Sequence, residues 1–162
     1  MKKISIIVAI ANNFAIGRNN RLLWHIPADM KRFKKITTGC QVIMGKLTYE
    51  SLPLHPLPNR RNIVITDKAG ESFEGCTTVY SIEEALNLCN EQEESFIIGG
   101  GSVYRQFLPF CNKLYITQVY KDFEADTFFP YVDLTEWKLI QREDHVKDDS
   151  LDFSYSFLVF EK

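Results

Sequence analysis

Asp29 lies in the segment Pro27-Ala28-Asp29-Met30-Lys31-Arg32-Phe33-Lys34-Lys35-Ile36-Thr37. At about 100° per residue, Asp29, Met30, Phe33, Ile36 and Thr37 share one helical face, and Lys31, Arg32, Lys34 and Lys35 take the opposite, solvated arc. An apolar stripe sorted in this way is buried. An ionised carboxylate on it is costly unless a cation or a proton donor meets it, and a bound ligand is a natural partner. A structural explanation stands beside this one. An acid in the first turn favours the positive end of the helix dipole, and Pro27 suits the first helical position. The two settings act on the carboxyl in opposite directions, the helix end lowering its pKa and desolvation raising it.

Two glycine turns add a second chemistry. Phe96-Ile97-Ile98-Gly99-Gly100-Gly101-Ser102-Val103-Tyr104 reads as a buried strand, a triple glycine and a helix start. Val42-Ile43-Met44-Gly45-Lys46-Leu47-Thr48 repeats the order with a lysine. Missing side chains let a phosphate approach backbone N–H groups, although neither segment is a dinucleotide fingerprint or a P-loop, and such glycines also serve as plain turns. Lys46 suits an anionic group or a solvated loop. Arg60, at the mouth of a strand, suits a carboxylate or the surface. Trp24 offers core packing or an indole N–H for a water or ligand. Thr117 offers a β-former or a hydroxyl for a buried carboxylate.

These residues need elements to hold them. β-Branched runs at residues 4–11, 41–44, 62–66, 77–80, 96–98 and 114–120 predict strands, and 137–141 with 155–160 predict an antiparallel ribbon at a sheet edge. Helices are expected at 27–37, 48–52 and 102–108, and after the capping-box spacing of Ser81 and Glu84. Strand–helix alternation predicts an α/β chain with a mainly parallel sheet, whose ligands sit beyond the carboxyl ends of strands.

With 162 residues, 45% hydrophobic and 25% charged, the composition is that of a soluble globular protein of one domain. A net charge of −2 and a pI near 5.9 disfavour nucleic acid as a partner. Cys40, Cys76, Cys89 and Cys111 are scattered without metal-ligand spacing, which suits a reducing cytosol and no metal. The start, Lys2-Lys3 before an apolar run, has a signal-peptide flavour, but the run is short and β-branched and suits a buried strand better. No run approaches the ~20 apolar residues of a membrane span.

Taken in order, 10–12 (IAN), 16–17 (IG), 23–33 (LWHIPADMKRF), 42–51 (VIMGKLTYES), 56–60 (PLPNR), 98–104 (IGGGSVY) and 126–130 (DTFFP) resemble the dihydrofolate reductase family, of bacterial type, over nearly the whole chain. The resemblance implies one domain over 1–162, a single eight-stranded, mainly parallel sheet with an antiparallel C-terminal strand, and four flanking helices. It implies reduction of 7,8-dihydrofolate to tetrahydrofolate by NADPH, supporting one-carbon metabolism, with antifolate inhibitors as further ligands and a cytoplasmic monomer.

By the same resemblance Asp29 holds the 2-amino group and adjacent ring nitrogen of the pterin, with Trp24 and Thr117 supporting the carboxylate and an ordered water. In the family arrangement Asp29 is too far from the reduced nitrogen for direct proton donation, and water is the carrier. Val8, Ala9, Met30, Phe33, Leu52 and Leu57 line the pterin and benzoyl pocket, and Arg60 clamps the glutamate tail. Ile10, Ile16 and Gly17 flank the nicotinamide. Gly45, Lys46, Leu47 and Thr48, with Ile98, Gly99, Gly100, Gly101, Ser102, Val103 and Tyr104, hold the pyrophosphate and adenosine, with a cis Gly99–Gly100 bond.

Several positions depart from the common bacterial pattern: Leu22, Leu23, Lys46-Leu47 and Ser102. The last two thin the positive charge around the 2′-phosphate of NADPH. Lys46, Thr66 and Lys68 compensate, so NADPH is expected over NADH with modest discrimination. Loop closure is not transferred. The competing functions are a pyrimidine reductase of riboflavin synthesis and a silent nucleotide- or folate-binding module.

Overall fold

In Ile4–Ile10 (ISIIVAI) side chains of both faces are apolar apart from Ser5, and the run forms the buried strand β1. A strand covered on both sides has this composition. The computed structural model describes residues 1–162. Along the chain follow β2 (Ala15–Gly17), α1 (Pro27–Thr37), β3 (Gln41–Gly45), α2 (Lys46–Ser51), β4 (Arg61–Ile65), β5 (Thr77–Val79) and α3 (Ile82–Asn87). Then come β6 (Ser95–Gly99), α4 (Gly101–Phe107), β7 (Lys113–Val119), β8 (Thr127–Phe128), β9 (Lys138–His145) and β10 (Tyr155–Glu161).

Eight strands make one sheet in the order β5-β4-β3-β6-β1-β7-β10-β9. All pairs from β5 to β7 are parallel, and β10 runs antiparallel to both β7 and β9. Ile6, Val8 and Ile10 of β1 join a core cluster with Ala85 of α3 and Phe107 of α4. Ile7 joins a second cluster with Tyr49 of α2 and the half-buried Phe33 and Ile36 of α1. The period of two along β1 thus separates the two helical layers. Ser81 caps α3 by accepting from the Glu84 N–H at 3.1 Å, while the Glu84 carboxylate reaches back one residue further than a capping box requires, to the Tyr80 N–H at 2.6 Å.

Two differences from the sequence pattern concern the strands. β9 starts at Lys138 and runs to His145, beyond the expected 137–141, because β10 pairs with its charged half as well. Its exposed Lys, Arg, Glu and Asp side chains blunt a sheet edge. The short β2–β8 ribbon, Ala15 to Phe128 and Gly17 to Thr127, had no alternation to reveal it.

Candidate active site

The first turn of α1 carries Asp29 to the middle of β7. Ile26 is extended, Pro27 opens the helix, and the Asp29 N–H bonds the Ile26 carbonyl at 3.0 Å. Asp29 Oδ1 accepts from Thr117 Oγ1 at 2.5 Å. Thr117 is buried, with Ala9 of β1 and Phe157 of β10 as its register neighbours. No lysine or arginine forms an ion pair with Asp29.

Burial pushes the Asp29 carboxyl above the usual carboxylate range, against the opposing effects of the Thr117 bond and of Arg32. Desolvation therefore outweighs the Thr117 bond and the charge of Arg32. A carboxylate accepts about four hydrogen bonds, so a single hydroxyl leaves most of its capacity for a ligand with paired N–H donors.

Arg32 corrects the helical pattern. It does not belong to the solvated arc: it is half-buried, its guanidinium carbon 4.5 Å from the centroid of the Phe157 ring. A planar cation gains by lying on an aromatic face, and three residues along a helix keep it beside Asp29.

The side of the sheet that α1 covers is apolar. Phe33, Leu52, Leu57 and Ile98 pack on the cluster that contains Ile7. Val8 points to the opposite layer and clusters with Ile10, Ile16, Val103 and Tyr104. The α1-facing positions of β1 are accordingly Ile7 and Ala9, and Ile7 was not singled out in the sequence because every residue near it is equally apolar. Met30 is 48% exposed, so the helical stripe is not uniformly buried. Arg60 lies at the far end of α1, Nη1 donating to Thr37 Oγ1 at 3.1 Å and Nε to the Pro58 carbonyl at 2.9 Å. Its guanidinium carbon is 5.8 Å from the Phe33 ring centroid. It makes no ion pair, and burial lowers its pKa. Trp24 packs edge-on against Phe123 at 5.1 Å, on the cluster that holds Ile26 and Phe157.

The two glycine turns meet at the carboxyl edge of the sheet. A Cβ on Gly45 would lie 3.2 Å from Val103 Cγ2, and one on Gly99 or Gly100 would lie 3.3 or 3.4 Å from Thr48 Oγ1. On Gly101 it would stand 2.9 Å from Thr127 Cγ2, which draws the β2–β8 ribbon, with Ile16 and Gly17, against the same turn. Gly99 has φ +132°, a conformation that favours glycine, and the Gly99–Gly100 bond is cis. The Tyr104 hydroxyl is buried and donates to the Ile7 carbonyl at 3.0 Å, tying α4 to β1. Leu47 and Ser102 are exposed, and Ser102 Oγ accepts from Gln106 at 3.0 Å.

Beyond the ends of β3 and β4, Lys46 and Thr66 are brought side by side and share Glu71. Lys46 Nζ lies 2.7 Å from Glu71 Oε2, and Thr66 Oγ1 donates to Glu71 Oε1 at 2.5 Å. The Lys68 N–H donates to Thr66 Oγ1 at 3.2 Å, and the Lys68 side chain is exposed. The Lys46 bond and then the Thr66 bond lower the Glu71 pKa, and Glu71 in turn raises that of Lys46. Glu71 has no motif around it beyond a Gly70 turn, so only the fold shows its place.

The chain matches the family model described as "Dihydrofolate reductase" over residues 3–162. It is 44% identical over 159 residues to a Bacillus subtilis (strain 168) dihydrofolate reductase, covering 98% of this chain and 94% of that one. With a dihydrofolate reductase of Neisseria meningitidis serogroup A it shares 46% over 158 residues, 98% of this chain and 97% of the other. A solved dihydrofolate reductase from Enterococcus faecalis, complexed with NADP(H) and RAB-propyl, superposes with TM-score 0.89 at 32% identity, covering 98% and 95% of the two chains.

Proposed function

This chain belongs to the dihydrofolate reductase family, and from that membership we propose that it reduces dihydrofolate to tetrahydrofolate with NADPH. The observation that carries the assignment to residues is the Asp29 carboxylate, half-buried, raised in pKa by desolvation and met by one hydroxyl. Asp29 takes the 2-amino group and adjacent ring nitrogen of the pterin as its missing donors. Thr117 keeps the carboxylate oriented, and its buried position on β7 makes that orientation rigid. The fixed negative charge favours the protonated pterin, the better hydride acceptor, through an electrostatic arrangement set before the substrate arrives. Phe33, Leu52 and Leu57 exclude water around the ring and the benzoyl group. Arg60, with no carboxylate of its own, binds that of the glutamate tail.

NADPH, when bound, supplies the hydride. The glycine turns fit it, because a Cβ at Gly45, Gly99, Gly100 or Gly101 would crowd Val103, Thr48 or Thr127, so glycine lets the two turns close on each other and bring their backbone N–H groups to one edge of the sheet. Gly45 through Thr48 and Gly99 through Val103 hold the pyrophosphate and adenosine, and Lys46, Thr66 and Lys68 the 2′-phosphate. Tyr104 contributes through its bond to Ile7 and its packing. Ile10, Ile16 and Gly17 close the nicotinamide side.

We place the enzyme in the cytoplasm as a monomer that also binds antifolates, with residues 1–162 forming one domain. Four free cysteines support a reducing compartment, and no helix is long and apolar enough to cross a membrane. Loss of NADPH absorbance on adding dihydrofolate tests the assignment. Turnover with a riboflavin-pathway pyrimidine instead, or tight binding without turnover, would contradict it.

A further inference from the structure

A carboxylate of this chain already sits on the two groups best placed to receive the cofactor's 2′-phosphate. Lys46 follows β3 and Thr66 follows β4, and the register pairs Gly45 with Ile65, so the two side chains leave adjacent parallel strands together. Glu71 bridges them at 2.7 and 2.5 Å. Its backbone is anchored, its N–H on the Lys68 carbonyl at 3.2 Å and its own carbonyl on the Tyr80 hydroxyl at 3.0 Å. The Glu71 side chain is only 18% exposed, against 38% for Lys46.

A threonine hydroxyl has one proton to give, and Thr66 gives it to Glu71. A phosphate carrying about −1.5 to −2 charges cannot take that proton until Glu71 lets go, and it is repelled by the carboxylate while Glu71 stays. Glu50 and Asp67 also act on Lys46, so three carboxylates oppose the ammonium groups of Lys46 and Lys68 in this corner. A ribose 2′-hydroxyl meets no such competition, since it is neutral and can donate to a carboxylate.

We propose that Glu71 is an internal anion that competes with the 2′-phosphate for Lys46 and Thr66 and so sets how strongly NADPH is preferred over NADH. This rests on the placement of the 2′-phosphate given above. Glu71 is a specificity-determining residue here, with no part in the chemical step.

The test uses the full-length protein and two fragments without nicotinamide, 2′,5′-ADP and 5′-AMP, titrated by calorimetry. Glu71→Gln keeps the shape and removes the charge. The 2′,5′-ADP Kd is expected to fall about two- to fivefold, the scale of one solvent-accessible ion pair, with that for 5′-AMP unchanged. The ratio of kcat/KM for NADPH to that for NADH should rise by the same factor. Glu71→Ala, checked by its melting curve, should act in the same direction. Unchanged or weakened 2′,5′-ADP binding in both variants overturns the proposal; weakening would mean that Glu71 aims Lys46 at the phosphate. Lys46→Ala separates the levels. If it weakens 2′,5′-ADP while Glu71→Gln does nothing, the role of Glu71 alone fails. If it leaves 2′,5′-ADP binding intact, the phosphate lies elsewhere and both ideas fall.

Discussion

Asp29 and Thr117 stand 88 residues apart in the chain, and their side-chain oxygens lie 2.5 Å apart. That bond joins the first turn of α1 to the middle of β7, and it is the only hydrogen bond made by the Asp29 side chain. Thr117→Val keeps the shape and deletes the donor. The bond lowers the Asp29 pKa, so its loss should move the acidic limb of the kcat/KM profile to higher pH. Stability should drop by about 1–2 kcal/mol in denaturant titrations. An unmoved pH profile would deny Thr117 this influence.

Asp29→Asn separates function from stability. Turnover at neutral pH should fall about 10²–10³-fold, the scale for losing one preorganised electrostatic partner, with partial recovery as pH is lowered. Folding should improve. The native carboxyl has a raised pKa, so the folded state binds its proton more tightly than the unfolded state, and stability falls as pH rises through that value. At neutral pH the charge is thus a burden, and its removal should gain about 0.5–2 kcal/mol. That gain should vanish below the unfolded carboxylate pKa. Urea melts of both proteins across that range measure it.

Gly99→Ala and Gly39→Ala form a matched pair. Both glycines have positive φ, +132° and +84°, but a Cβ on Gly99 would press on Thr48 at 3.3 Å, whereas one on Gly39 would meet nothing within 4 Å. Each should cost about 1–3 kcal/mol of stability from backbone strain. Only Gly99→Ala should also weaken NADPH binding, which fluorescence titration would report. Equal cofactor affinity in the two variants would remove the Gly99 turn from the cofactor site.

Arg60→Ala should raise KM for dihydrofolate at least about tenfold, equivalent to 1.4 kcal/mol, with little change in kcat. A pterin substrate truncated before its glutamate should show no difference between the two proteins. A KM defect that persists with the truncated substrate would place Arg60 in wall packing against Phe33 instead of in carboxylate recognition.

The local elements around the candidate site were legible in the sequence. The Pro27–Thr37 helix has the expected bounds, since proline and the helical period are local signals. The strands that deliver Gly45 and Gly99 were legible for the same reason: short β-branched runs ending in glycine mark where a chain stops being a strand. Arg32 was misplaced because a charged side chain on a helix is solvated unless something aromatic waits for it, and Phe157 comes from the far end of the chain. Val8 and Ile7 could not be told apart, as the apolar run from Ile6 to Ile10 carries no alternation to say which face is which.

By itself, then, the sequence determined the elements, the glycine turns at their ends and the acidic residue in need of a partner. All of these depend on neighbours a few positions away. Only the tertiary structure decided that Thr117 is the donor to Asp29, that Ile7 and not Val8 faces α1, and that Glu71 bridges Lys46 and Thr66. Those outcomes turn on strand order and register, where a shift of one residue turns every side chain to the other face.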